Sequence, residues 1–321
     1  MRRVFITGIT GFAGSHLAER FVALGDEVHG LAFEEAPYAN LAAVADAVRI
    51  HRGDITSVDD LRDALRGARP DSVVHLAGQA IPTEAARDPV GAVRVNVLGT
   101  AAVLTALDAA PDASLVLASS AEVYGSPKDN LVDEGALVNP LNPYAATKVA
   151  AEALAREFGD RERRAVVILR PINQIGPRQH PGLVASAFAK QIAEAENGGE
   201  PVVRHGSLDA RRDFLDVRDM ADAYARATEI RDAGSGIFNV GTGHAVAVRE
   251  ILTMLIRLAR VPVRAELDPA RTRQGTATTL ALDASRFRER TGWEPRTPLE
   301  TSLRDLLDYW RARSREGARV S

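Results

Sequence analysis

The chain predicts an α/β fold, a doubly wound parallel sheet with a smaller, interwoven C-terminal lobe. Three observations carry this expectation. Short apolar runs of buried-strand length alternate with longer helical stretches through the first half. A glycine-rich turn, Gly8, Gly11 and Gly14, joins the first run to the first helix. After about residue 171 the alternation loosens and polar stretches lengthen. Alternation of this kind favours right-handed crossovers between parallel strands.

With 321 residues, 45% hydrophobic and 26% charged, the chain can build one large or two intimate domains. A net charge of −3 gives no electrostatic case for a nucleic-acid partner. The arginine runs at 161–164 and 311–315 read as solvated faces. The absence of cysteine excludes disulfides, thiol nucleophiles and thiolate metal sites. The seven histidines lack metal-ligand spacing, so no metal is assigned. The N-terminus lacks an apolar secretory core and no apolar run is expected to span a membrane, which makes the cytoplasm the expected compartment.

Taken in order, Arg3 to Thr7 predicts the first strand, and the residues from Ser15 to about Leu24 a helix. Gly8 and Gly11 allow the backbone to turn tightly and approach a pyrophosphate, which sits on the helix N-terminus, while Gly14 permits close helix–strand packing. This context implies dinucleotide binding. The strand from Glu27 to Ala32 ends at Phe33, Glu34 and Glu35, where an acid for a ribose or an arginine for a 2′-phosphate is not cleanly placed. Two acids repel a 2′-phosphate, so NADH is expected to be preferred over NADPH. A third strand runs from Val48, and Asp54 at its end either meets the adenine or caps the helix after Thr56. The fourth, from Ser72, ends in the small stretch Leu76-Ala77-Gly78, suited to a cofactor lying across it. A long helix is expected from Pro89 to about Ala110.

The apolar run from Ala113 to Ala118 places Ser120 at a strand end, the usual place for chemistry in an open parallel sheet. Pro143 opens a helix to about Phe158, and Tyr144 and Lys148, four apart, share one of its faces. A phenol ordinarily titrates near pH ~10. An ammonium nearby is expected to lower that value, and Ser120 to hold a substrate oxygen within reach of the phenol. Beyond a strand from Ala165 to Leu169, a loop is expected from Arg170 to Arg178. Helices are expected near 183–196, from after Asp219 to about Ile230, near 246–260 and near 298–313, with a strand from Gly236 to Val240. The expected division puts residues 1–171 and about 218–244 in a dinucleotide-binding domain. Residues 172–217 and about 245–321 form the substrate lobe.

In family order along nearly the whole chain stand Thr7 to Leu17 (TGITGFAGSHL), His75-Leu-Ala-Gly, Asn96-Val-Leu-Gly-Thr100, Ser119-Ser-Ala-Glu-Val-Tyr-Gly125, Tyr144-Ala-Ala-Thr-Lys148 and Arg212 to Asp219 (RDFLDVRD). Together they resemble the extended short-chain dehydrogenases/reductases that act on nucleotide sugars. Asn173 to Gln179, Phe188 to Ile192, Gly206 to Phe214 and Thr291 to Leu303 are most similar to the GDP-sugar branch. That resemblance implies a Rossmann-type domain, NAD(P)H as cofactor, and reduction of the C4 ketone of GDP-4-keto-6-deoxy-D-mannose to GDP-6-deoxy-D-mannose (GDP-D-rhamnose). The alternatives are a GDP-mannose 4,6-dehydratase, a 4-epimerase and a catalytically silent dinucleotide sensor.

By carry-over, the expected catalytic set is Ser120, Tyr144 and Lys148, with Glu122 where resembling dehydratases place a base. Cofactor contacts are expected from Gly8, Gly11, Phe12, Ala13, Gly14, Asp54, Ile55, Leu76, Ala77, Gly78, Asn96, Tyr144 and Lys148. Substrate contacts are expected from Ser120, Glu122, Asn173, Lys190, Arg212 and Arg273, since a diphosphate needs fixed donors and guanidinium groups. Ala80, Ala85 and Ala121 stand where related enzymes often carry polar groups, which fits a reductase better than a dehydratase. The resemblance also implies a homodimer through a four-helix bundle of the 90–110 and 143–158 helices. Ala101, Ala102, Leu104, Ala145, Ala150 and Ala153 give those helices small, closely packing faces.

Overall fold

The computed structural model describes residues 1–271 and 279–320. In chain order the strands are β1 (Arg3–Thr7), β2 (Glu27–Ala32), β3 (Val48–Arg52), β4 (Ser72–His75), β5 (Ser114–Ala118), β6 (Leu131–Val132) and β7 (Ala165–Pro171). They continue with β8 (Asn173–Ile175), β9 (Val202–His205), β10 (Arg211–Asp216), β11 (Gly234–Val240), β12 (Ala245–Ala247), β13 (Arg264–Leu267) and β14 (Thr279–Leu282). The helices are α1 (Phe12–Ala23), α2 (Val58–Ala68), α3 (Pro82–Arg87), α4 (Pro89–Val93), α5 (Gly99–Ala106) and α6 (Pro143–Glu162). Then come α7 (Val184–Glu196), α8 (Val217–Ala227), α9 (Val248–Leu258), α10 (Ser285–Thr291) and α11 (Leu299–Val320).

Seven strands form one parallel sheet in the order β3-β2-β1-β4-β5-β7-β11. The order reverses at β1 and β4, which opens a crevice at their carboxyl ends. The apolar runs face both ways, as a two-sided parallel sheet requires. Val4 and Ile6 of β1 join the core shared with α1 and α8, while Phe5 between them joins the core shared with α2, α5 and α6. Burial of each such side chain contributes about 1.5–3 kcal/mol. A second sheet, β12-β10-β14-β6 with β8 on β10, and the β13–β9 pair lie outside this sheet. Helices α7, α9 and α11 bury Phe188, Ile192, Ile251, Leu255, Leu303 and Leu306.

Several elements differ from expectation. Helix α1 begins at Phe12 rather than Ser15, because Gly11 serves as its N-cap. The Pro89 helix is not uniform: α4 passes through a π-helical turn at Arg94–Leu98 before α5, and α3 precedes it. The Arg170–Arg178 segment is not all loop, since β8 pairs in parallel with β10. The expectation that no apolar run reaches membrane-spanning length fails at Pro89–Ala109, 21 residues that include an 18-residue window with a mean hydropathy of 1.6. Half of that window is buried against the protein, as a helix packed in a core requires.

Candidate active site

The site grows from the carboxyl ends of β1, β4 and β5. Gly8 leaves β1 with φ of 73°, and a Cβ there would stand 2.8 Å from the Ala77 nitrogen. At Gly14 a Cβ would stand 2.0 Å from the Gly8 carbonyl oxygen. The strand–turn–helix crossing is therefore closed to any larger residue. Gly11 gives α1 no side-chain cap, and its first turn, Phe12, Ala13 and Gly14, holds no acid. The unpaired N–H groups and positive dipole end of such a turn suit a pyrophosphate.

Asp54 braces a turn: one carboxylate oxygen accepts both the Thr56 N–H and hydroxyl at 2.8 Å. The Thr56 backbone bond chiefly holds its pKa below the ordinary carboxylate value. The cap of α2 is instead Ser57, whose hydroxyl accepts from Asp60 N, so the capping role expected of Asp54 falls to its neighbour. Ile55 lies under Gly99, where an added Cβ would come within 3.3 Å of it.

Asn142 caps α6 by accepting the Ala145 N–H at 2.8 Å, and Pro143 fixes the first turn. This sets Tyr144 and Lys148 facing the ends of β4 and β5. The Tyr144 ring packs on Ala85 and Ala92, and Ser120 lies close enough to its phenol to oppose the rise that burial brings to its pKa. The Ser120 hydroxyl also accepts the Glu122 N–H at 3.2 Å. Glu122 takes an amide bond from Asn142 at 3.1 Å. Lys148 Nζ donates to the Ala118 carbonyl at 2.8 Å and lies 5.9 Å from the Tyr144 ring centre.

The expected depression of the phenol pKa is corrected here. Burial pushes Tyr144 up to about 12, Glu122 adds to the rise, and the group that lowers it is Ser120. The physical reason is desolvation, which penalises a phenolate and an ammonium alike. Burial likewise pulls Lys148 down to about 8, against the nearby Glu152. At neutral pH Tyr144 is thus a protonated phenol, ready to give a proton rather than to take one.

Behind this pair the π-helical turn swings Asn96 across the crevice. Asn96 accepts the Gln79 N–H at 2.7 Å and donates to the Thr147 hydroxyl at 2.8 Å. A Cβ on Gly78 would meet Asn96 Oδ1 at 2.8 Å and Lys148 Nζ at 3.5 Å, so the three residues converge. His75 lies beneath them, between the hydroxyls of Thr7 at 2.7 Å and Thr100 at 3.1 Å. Thr100 gives its own proton to the Asn96 carbonyl, so His75 Nε2 carries the proton and Nδ1 accepts from Thr7. Burial holds His75 neutral, with a pKa near 3.

Of the expected substrate residues, Asn173 opens β8 just beyond the end of β7. The next residue, Gln174, lies near Tyr224, whose phenol is close enough to feel Tyr144. Lys190 on α7 sits 3.6 Å from Glu194 and 5.8 Å from the Trp310 ring centre. Arg212 on β10 donates to the Arg211 carbonyl at 2.9 Å. Among the described residues, no hydrogen bond or ion pair joins Lys190 or Arg212 to Ser120 or Tyr144, and Arg273 lies outside them.

Sequence reasoning passed over two groups. Arg178, with φ of 72°, clamps the substrate-side loop to α1 by a bidentate pair with Glu19 at 2.7 and 2.8 Å and a bond to the Asn40 carbonyl. Glu152 and Arg170 form a buried ion pair at 2.6 Å behind Lys148. The signal for Glu152 was its place one turn beyond Lys148 on the same helix face.

A family model described as GDP-mannose 4,6 dehydratase matches residues 5–306. The GDP-6-deoxy-D-mannose reductase of Pseudomonas aeruginosa is 36% identical over 319 residues, 98% of this chain and 99% of that protein. The structure of RMD from Pseudomonas aeruginosa, complexed with NADPH, superposes with a TM-score of 0.83 at 33% identity, covering 98% of this chain and 100% of that one. The UDP-glucose 4-epimerase of Thermus thermophilus, complexed with NAD, gives 0.84 at 31% identity, covering 96% and 99%. With the glycine turn, the Ser120–Tyr144–Lys148 wall and the β1/β4 crevice in place, the chain belongs to the extended short-chain dehydrogenase/reductase family, in its GDP-mannose 4,6 dehydratase group.

Proposed function

We propose that this chain is a cytoplasmic NAD(P)H-dependent reductase that converts GDP-4-keto-6-deoxy-D-mannose to GDP-6-deoxy-D-mannose. The observation that carries the reading is the Tyr144 phenol, buried beside Ser120 and protonated at neutrality. A reduced nicotinamide, when bound, supplies hydride to C4. Tyr144 Oη gives its proton to the C4 oxygen as negative charge develops there. Ser120 Oγ holds that oxygen in line, and Lys148 holds the cofactor ribose. The first turn of α1 and the tight crossing at Gly8 and Gly14 fit a dinucleotide pyrophosphate. Asn173, Lys190, Arg212 and Arg273 hold the GDP diphosphate, and Glu122, braced by Asn142, borders the sugar.

Residues 1–171 and about 218–244 are assigned to the cofactor, and 172–217 and about 245–321 to the nucleotide sugar. A homodimer through the 89–109 stretch and α6 is part of the reading. Val90, Val93 and Leu98 on the first and Leu154 on the second leave apolar surface exposed. A monomeric mass by light scattering at micromolar concentration would remove the dimer.

A 4,6-dehydratase is the second reading, favoured by Glu122, which lies close enough to raise the Tyr144 pKa. One experiment separates the two. GDP-mannose alone should give no keto-sugar, while the 4-keto-6-deoxy sugar nucleotide with reduced cofactor should give a 6-deoxy-hexose. Release of the 4-keto product from GDP-mannose without added cofactor would overturn the reductase and make Glu122 the central base.

A further inference from the structure

We propose that Glu152, held in place by Arg170 and Ser119, is a positioning residue that keeps the Lys148 ammonium charged. The three groups lie in one buried line: Lys148 is 7% exposed, Glu152 4% and Arg170 3%. Glu152 follows Lys148 by one helical turn of α6, on the same face. Its carboxylate is gripped from three directions. Arg170 Nε donates to Oε1 at 2.9 Å and Nη2 to Oε2 at 2.6 Å. The Ser119 hydroxyl, next to Ser120, donates to Oε1 as well.

Arg170 is itself fixed. Its guanidinium lies 4.9 Å from the Tyr124 ring centre and donates to the Tyr124 hydroxyl at 2.9 Å. That hydroxyl donates to Asn239 Oδ1 at 2.7 Å. The permanent charge of Arg170 pairs with this carboxylate, which stands one helical turn from the ammonium.

The other titratable groups around Lys148 do not supply this charge. Tyr144 on its own helix is protonated, and His75 on β4 is neutral. Tyr224 on α8 is held neutral by burial, and Tyr124 beyond Arg170 likewise. Glu122, after β5, is bonded to Asn142. On the turns packed against α6, Arg87, Asp88 and Arg94 are exposed, and Glu84 faces His180 at 4.0 Å. Helix α5 and strand β11 carry no ionisable residue, and β7 contributes Arg170. With burial pulling the ammonium toward neutrality, Glu152 is the group that opposes it.

The test uses the three lysines of the chain, Lys128, Lys148 and Lys190, labelled with ¹³C at Cε and titrated by NMR. A Lys148→Met variant assigns the signal. In Glu152→Gln the Lys148 midpoint should fall by about one pH unit or more, because the carboxylate is lost and the guanidinium is left uncompensated. In the double variant Glu152→Gln/Arg170→Met, which buries no unpaired charge and so protects folding, it should fall by less but still move. Glu152→Asp, which keeps the charge, should restore most of the wild-type midpoint. The kinetic arm rests on the reductase reading: the alkaline limb of kcat/KM should move with the NMR midpoint. A chain that binds NAD(P)H but turns over no keto-sugar would sink that reading and leave the NMR arm intact. An unchanged Lys148 midpoint in both Gln variants would overturn the proposal, whatever happens to turnover.

Discussion

The wall that carries Ser120, Tyr144 and Lys148 and the elements that carry Asn173, Lys190 and Arg212, proposed here for the diphosphate, are built by different means. On the wall each residue is 8% exposed or less: Ser120 accepts the Glu122 N–H, Lys148 donates to the Ala118 carbonyl, and the Tyr144 ring packs on Ala85 and Ala92. On the lobe the Lys190 side chain is 43% exposed, and its neighbours are Glu194 and Trp310. The contrast fits the tasks proposed for the two sets of residues. Proton transfer needs fixed geometry and a fixed charge state, which burial and hydrogen bonds impose. Diphosphate binding needs cations that can leave a weak surface partner for a stronger anion, which exposure allows.

The contrast is broken most severely on the wall. Tyr144→Phe should bind NAD(P)H as the parent does and lose turnover by about 10²-fold or more. Near-parental turnover of the keto-sugar nucleotide would take Tyr144 out of the mechanism.

Beneath the wall, His75 ties the fold to pH. Its folded-state pKa, near 3, lies below the unfolded value of about 6.5. Between those values the unfolded chain holds the extra proton, so stability rises with pH and is complete above about 6.5. Acidification should therefore cost about 1.4 kcal/mol for each pH unit below about 6 from this group. Denaturant midpoints measured across pH 4–7 check the slope. His75→Gln, able to accept from Thr7 and donate to Thr100, should flatten it; an equal slope in that variant would assign the loss elsewhere.

A lobe substitution should behave differently. Lys190→Ala is expected to raise KM for the nucleotide sugar about tenfold, the scale of one lost charged contact, while kcat stays near the parent value. An unchanged KM would mean that Lys190 serves only its contacts with Glu194 and Trp310.

The smallest effect lies at the adenosine end. Arg52, the cation at the end of β3, is paired with Glu35 at 2.7 Å, and Glu34 stands beside them, exposed. This leaves a 2′-phosphate poorly matched, and the KM for NADH should be the lower of the two by a few-fold. Side-by-side Michaelis constants with the opposite order would reverse the assignment.

Much of this was legible in the amino-acid order, because it rests on local rules. Strand runs such as Ser114–Ala118 announce themselves by unbroken apolarity. Gly8 and Gly14 announce the turn because no other residue fits. The Asn142-Pro143 cap fixes where α6 starts, and with it the shared face of Tyr144 and Lys148. The short strands β6, β8 and β14 were not legible, since two to four residues carry too little periodicity and their pairing is set by distant partners. The π-helical turn at Arg94–Leu98 was hidden for a related reason: the bonds of Asn96 to Gln79 and Thr147 come from segments 17 and 51 residues away.

By itself the sequence determined the fold class, from the alternation of apolar runs and helices, and the glycine turn and the places of Ser120, Tyr144 and Lys148, from patterns within single strands, turns and helices. Only the tertiary structure decided their electrostatics. Lys148 was expected to lower the Tyr144 pKa, yet burial of the whole wall raises it, and the carboxylate that answers the Lys148 charge is gripped by Arg170 from another strand. Charge states depend on how far every surrounding segment excludes water, and no local pattern of residues encodes that.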